Sequence, residues 1–305
     1  MPSLYALGRL ALGQSECQSS LMTALRDGEQ PSDWRPVGDG VYVCVAEPCS
    51  VNVGLVVGSR AALLVDTGST PEQGRAIRAA VSRVTDRPLT TAVLTHWHYD
   101  HAFGLAAFAD LDTIAHESVP TRLRSAEAAA EAERLGFSAA ELALPHRELV
   151  VAAAVDLGDR RVEVAHLGQG HTDGDLVVVV PDADLVFVGD LLESAGPPSF
   201  GDDCYPDEWG VTLDGVIGLM TAGTRAVPGH GDPVDRLFAF GQRGEVAGVA
   251  GEIRRLVEAG VPEADAVSRG NWPYPEPVVA RGVARGYRAL AASGVKGTRP
   301  TLPLA

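Results

Sequence analysis

Apolar positions along the chain fall into two groups of short runs, each followed by segments with helical spacing. VYVCVA (41–46), VNVGLVV (51–57) and AALLVD (61–66) are aliphatic or β-branched runs punctuated by Pro48, Gly58 and Gly68. That is the pattern of an antiparallel meander. Thr70 can then cap a helix with Pro71 in its first turn and Ile77, Ala80, Val81 and Val84 on one face. TAVLT (91–95) reads as a buried strand, and the Ala- and Glu-rich stretch 125–135 as a surface helix. A second strand group follows at 148–157, 161–167, 175–180 and 184–189. Helical spacing returns at 206–221, where Trp209, Leu213, Val216, Ile217 and Met220 share a face, and again at 245–259 and 277–291.

This order predicts an α/β fold with two sheets packed face to face and helices outside. One domain is expected across 1–305, with an irregular segment at 1–40, a core at 41–235 and a helical extension at 240–305. The amphipathic faces of the extension need burial against the sandwich or a second copy of the chain, so a homodimer is one expected assembly.

Composition narrows the function classes. Hydrophobic residues make up 46% and charged residues 21% of the 305, which suits a globular core. A net charge of −15 repels phosphate backbones, so no nucleic-acid partner is expected. No run approaches eighteen apolar residues, so no membrane span is expected either. MPSLYALGRLAL has an arginine inside its apolar stretch and no basic lead, unlike a secretory signal. Cys17, Cys44, Cys49 and Cys204 lack CxxC spacing. Together these features point to reduced thiols in a cytoplasmic protein. A Cys44–Cys49 bridge across the Pro48 turn is the alternative to two thiols.

The candidate chemistry is in THWHYDH, residues 95–101, which crowds three of the eight histidines and an aspartate into seven positions. In an extended segment His96 and His98 face one point, and a turn aims Asp100 and His101 at a second. Two imidazoles do not complete a tetrahedral shell, so each point needs further ligands. Glycine-flanked candidates follow in order: His171 in GHTDGD, Asp190 in FVGD and His230 in PGHG. His116, His146 and His166 stand alone and are left outside the site. Asp173 and Asp175 read as turn formers.

HWHYDH, GHT, GD and PGHG, with DTG at 66–68 before them, resemble the motifs of the metallo-β-lactamase superfamily from about residue 40 to 235. The resemblance implies a four-layer αββα sandwich with metal at one edge of the sheets. It implies that His96, His98 and His171 bind one metal and Asp100, His101 and His230 a second, with Asp190 bridging. Asp66 is then expected to orient the histidine loop.

Two zinc ions per chain are the implied cofactor, although iron or manganese also suits these ligand types. The implied chemistry is hydrolysis by a metal-bridging hydroxide, with Asp100 orienting the nucleophile and passing on its proton. An aspartate at 190 resembles glyoxalase II and lactonases more than true β-lactamases, so the expected small-molecule substrate is an ester, lactone or thioester. The alternatives are an iron-dependent persulfide dioxygenase, a β-lactam hydrolase, and a non-enzymatic module retaining the fold. The loop 193–210 should line the mouth, with Phe200 and Tyr205 as candidate substrate contacts and Trp209 as helix packing.

Overall fold

Alternation along each strand decides which layer a side chain serves. In the computed structural model, which describes residues 31–295, twelve strands form two sheets. Cys17 and the N-terminal stretch discussed above lie outside the described residues. The first sheet runs in sequence order: β1 (Arg35–Gly38), β2 (Val41–Ala46), β3 (Val51–Val57), β4 (Ala62–Val65), β5 (Leu89–Val93), β6 (Asp112–His116) and β7 (Arg147–Leu149). The second has the order β12-β11-β10-β9-β8, from β8 (Ala152–Asp156), β9 (Arg161–His166), β10 (Leu176–Val180), β11 (Leu185–Gly189) and β12 (Arg225–Pro228). Strands β4 to β7 pair in parallel, as do β11 and β12, while the other pairs are antiparallel.

On β4, Leu63 and Val65 face the second sheet while Ala62 and Leu64 face outward. On β11, Leu185 and Phe187 point inward while Val186 and Val188 face the opposite outer layer. The inner sets interdigitate as one core between the sheets. Gly54 belongs to this fit: a Cβ there would meet the Phe187 ring at 2.4 Å.

Helices cover both outer faces. On the first sheet, α1 (Pro71–Val81) is capped by Thr70, whose hydroxyl accepts from Gln73 N–H, and packs Ile77 and Val81 against Leu55 and Leu64. The same side carries α2 (Tyr99–Ala102), α3 (Val119–Leu123) and α4 (Ala126–Arg134). On the second sheet lie α5 (Pro206–Leu219), α6 (Arg236–Glu258), α7 (Glu263–Arg269) and α8 (Glu276–Ala292). This is the expected four-layer αββα arrangement. No helix among the described residues is long and apolar enough to cross a membrane.

Two expectations change. The run 148–157 is two strands in different sheets, because the chain bends at Val150 and Val151, which are 54% and 68% exposed. A continuous apolar stretch gives no cue for that switch. The helix expected at 245–259 begins at Arg236, where the Asp235 carboxylate accepts from Phe238 N–H. The described part of the extension, 240–295, buries its apolar faces against the sandwich, one of the two burials expected of it. Val246, Val249, Ile253, Val279 and Val283 share one cluster with Trp209, Leu213 and Val186. The buried Gln242 side chain donates to Glu193 O and accepts from Glu193 N–H, each at 2.8 Å. The Cys44–Cys49 bridge does not form, and burial pushes the Cys44 thiol up to about 12.

Candidate metal centre

Strand ends at one edge of the sandwich deliver the seven side chains. Ladder pairing of β5 stops at Val93, and the chain passes through His96 to His98, the residue preceding α2, which carries Asp100 and His101. Asp190 follows β11, His230 follows β12, and His171 sits in the β9–β10 connection. Asn52 of β3 ties the sheets at this edge. Its backbone N–H donates to Gly229 O, and its side-chain amide donates to Pro228 O and Gly231 O.

The expected grouping is present in space. His96, His98 and His171 form one set, Asp100, His101 and His230 a second, and His96, His101 and Asp190 a third that links them. Within each set, one potential ligand atom per residue lies within 4.8 Å of the others. Asp190 is central. Its Oδ1 is 3.3 Å from His101 Nε2, and its Oδ2 is 3.5 Å from His171 Nε2, 3.6 Å from His230 Nε2 and 3.9 Å from His96 Nε2. Asp100 Oδ2 is 3.5 Å from His230 Nε2 and 3.8 Å from His101 Nε2. Gly229 is required here, because a Cβ on it would meet Asp190 Oδ1 at 1.8 Å.

Each ring has an outward partner that fixes which nitrogen faces in. His101 Nδ1 donates to Asp66 Oδ2 at 2.9 Å. Asp66 also accepts from Thr95 N–H and the Thr95 hydroxyl, so that hydroxyl is left to accept from His96 Nδ1 at 3.0 Å. His171 Nδ1 donates to Ser199 O at 3.1 Å, and His230 Nδ1 to Cys49 O at 2.9 Å. His98 uses its other nitrogen, Nε2, toward Asp203 Oδ2 at 3.2 Å. Four Nε2 atoms and one Nδ1 atom therefore face inward. Asp66 performs the expected orienting contact from a left-handed backbone, φ 63°, a conformation kept where surrounding contacts demand it.

This donor set fits a cation. The buried atoms His96 Nε2, His101 Nε2 and Asp190 Oδ1 make no hydrogen bond. Such atoms cost about 1–3 kcal/mol each unless a ligand compensates. His171 Nε2 and His98 Nδ1 face each other at 2.8 Å and need a proton or a metal between them. Imidazole nitrogen and carboxylate oxygen suit zinc and neighbouring transition metals.

The electrostatics agree. Burial, with neighbouring rings, drives His96 well below the ordinary imidazole value. Burial also opposes charge at His101 and His230, yet Asp190 and Asp100 prevail and hold both well above it. Burial would raise Asp190, but His101 and His230 keep it well below the carboxylate range. The same contest leaves Asp100 lowered.

The remaining expectations divide. His116 and His166 stack together, ring centroids 4.1 Å apart, with His166 Nδ1 on Asp175 O. His146 Nδ1 donates to Leu111 O. None of the three belongs to the metal-capable sets. Asp175 accepts from Thr172 N–H and its hydroxyl, and burial pushes its carboxyl up to about 7. Asp173 pairs with Arg122. Phe200 is not at the mouth: it is 3% exposed and packs between Trp209 and Tyr274. Tyr205 is half-buried, with the Arg285 guanidinium 4.7 Å above its ring. Trp209 is buried as expected, 5.7 Å from the His171 ring. Asp203, Thr95 and Asn52 were not foreseen, because each acts through contacts across sequence-distant loops or through a neighbouring backbone.

A family model described as the Metallo-beta-lactamase superfamily matches residues 46–233. The metallo-beta-lactamase type 2 of Bacillus cereus is 26% identical over 186 residues, covering 60% of this chain and 68% of that protein. The acyl-coenzyme A thioesterase MBLAC2 of Bos taurus is 28% identical over 214 residues, covering 61% of this chain and 76% of that protein. A solved metallo-beta-lactamase from Pontibacter korlensis matches with a TM-score of 0.60 at 19% identity, over 71% of this chain and 99% of that one. That last likeness is one of fold.

Proposed function

The chain belongs to the metallo-β-lactamase superfamily, and from that premise we propose a metal-dependent hydrolase that cleaves a small ester, lactone or thioester at two adjacent zinc ions. The observation that carries this reading is the convergence of five inward imidazole nitrogens and two carboxylates, three of whose buried atoms make no hydrogen bond.

His96, His98 and His171 would hold one cation, Asp100, His101 and His230 the other, and Asp190 lies where both can share it. Bound there, divalent cations polarise a substrate carbonyl and lower the pKa of a water to about 7. Asp190 would offset part of their charge with its carboxylate. Asp100 is an ionised acceptor placed to take a proton and pass it outward. Trp209, behind His171, excludes water from that flank.

The aspartate at 190 and the thioesterase relative support an acyl substrate. The B. cereus relative supports a second reading, β-lactam hydrolysis. A panel of lactones, acyl thioesters, aryl esters and a chromogenic cephalosporin, run on zinc-loaded and chelated protein, tests both. Turnover of an ester, lactone or thioester that chelation abolishes and zinc restores is the expected result. Turnover of the cephalosporin alone would select the second reading, and activity insensitive to chelation would reject both.

A further inference from the structure

The loop 193–205, between the end of β11 and α5, does more than border the site. Asp203 Oδ2 accepts from Trp97 Nε1 at 2.8 Å and from His98 Nε2 at 3.2 Å, so one carboxylate grips two successive residues of the histidine motif. Ser199 O of the same loop accepts from His171 Nδ1. Tyr205 N–H donates to Gly170 O, stitching the end of the loop to the turn that carries His171. Two of the three rings in the three-histidine set thus take their outward partner from this loop. His101 and His230 take theirs from Asp66 and Cys49 O, which belong to other segments.

We propose that Asp203 is a positioning residue that clasps the three-histidine half of the centre from the loop at its edge. The proposal rests on the metal-centre reading above. His98 is the one ring that presents Nδ1 inward, 2.8 Å from His171 Nε2. Its two nitrogens are inequivalent, and the Asp203 contact selects the inward one. The His98 and Asp203 side chains are 14% and 12% exposed, so this contact is shielded from water. A carboxylate receiving the outer N–H of a ligating imidazole also increases its basicity as a ligand, and losing such a partner typically costs about 10–100-fold in metal affinity. Because the other half is anchored elsewhere, the loss should fall on one cation of the pair.

The test is a stepwise zinc titration of the full-length chain against a chromophoric chelator, comparing the wild type with Asp203→Ala, Asp203→Asn and Trp97→Phe. The expected result is two affinities in the wild type. In Asp203→Ala one of them should weaken by about 10–100-fold and the other change by less than about threefold. Asp203→Asn, which keeps an acceptor oxygen without the charge, should fall between, and carries the test if the alanine variant does not fold. Trp97→Phe, which removes the other donor to Asp203 but leaves the His98 contact, should weaken the same site by less than Asp203→Ala and leave the other site unchanged. Equal weakening at both sites, or a wild-type titration in both Asp203 variants, would overturn the proposal while leaving the two-metal reading in place. A wild-type chain that binds no metal would overturn both together.

Discussion

Gly229→Ala should separate metal binding from folding. Gly229 has no left-handed backbone to lose, so alanine is locally acceptable there. The obstacle is Asp190, whose Oδ1 would lie 1.8 Å from the new Cβ, with His101 Cε1 at 3.0 Å. Relief to an ordinary contact near 3.4 Å displaces the carboxylate oxygen by about 1.6 Å (3.4 minus 1.8). That is about three times the ~0.5 Å tolerance of a preorganised site. Overpacking of this kind costs about 1–3 kcal/mol of stability, which a domain of this size can absorb. The shared carboxylate, however, leaves its place, and zinc affinity should drop by about 100-fold or more. At zinc concentrations that saturate the wild type, such a drop removes about 2.7 kcal/mol of ligand-linked stabilisation. It should therefore shrink the zinc-induced rise in Tm by on the order of 5 °C. Melting curves with and without zinc, together with a chelator titration, read both quantities. A folded Gly229→Ala protein with two wild-type zinc affinities would refute the placement of Asp190 as the shared ligand.

Asp66→Ala removes the acceptor for His101 Nδ1 and two Thr95 donors from a buried position. It should cost about 3–5 kcal/mol in chemical denaturation and weaken zinc, and unchanged stability would contradict that network. Gln242→Ala leaves the buried N–H and C=O of Glu193 without partners, an expected loss of about 2–4 kcal/mol by urea unfolding. A loss under about 0.5 kcal/mol would show that the extension is not integral to the core. His166→Ala should leave metal content unchanged by elemental analysis, since His166 contacts His116 and Asp175 O; loss of one equivalent would place a ligand there. His101 and His230 are held above the ordinary imidazole value. In metal-free protein their charged forms contribute stability that is complete below the unfolded value near 6.5 and lost as pH rises through the raised values. Zinc must displace those protons. The zinc-induced Tm rise should therefore increase with pH, and calorimetry in buffers of different ionisation enthalpy should show proton release that grows as pH falls. Binding without proton exchange from about pH 6 to 8 would contradict the assigned charges.

The strands that build the inner core were legible because their aliphatic and β-branched runs are dense: β2, β3 and β10 sit where those runs place them. Short strands such as β1, β7 and β12 were not, since RPVG, REL and RAVP each interrupt two or fewer adjacent apolar residues with charge, glycine or proline. His96, His98 and His101 were legible because histidine at such spacing has no packing rationale, and Asp100, His171, Asp190 and His230 through motifs that resemble those of the superfamily. What orients them was only half legible. Asp66 stands in a recognisable DTG turn, while Asp203 lies in GDDCY, where nothing local distinguishes it from the adjacent, exposed Asp202. Phe200 was placed at the mouth because its loop leads there, but its ring turns back onto Trp209 and Gly282, a choice made by the α8 helix far downstream.

A two-metal hydrolytic centre at this edge is tested by elemental analysis joined to turnover on the same sample. The purified chain, reconstituted and freed of excess metal, should carry about two zinc per chain. His98→Ala should lose metal and ester, lactone or thioester hydrolysis together, and Asp190→Ser should retain one site with the other much weakened, its hydrolysis falling with the metal it fails to hold. One tightly held iron with oxygen uptake on a persulfide, or full turnover in variants that have lost the metals, would contradict it.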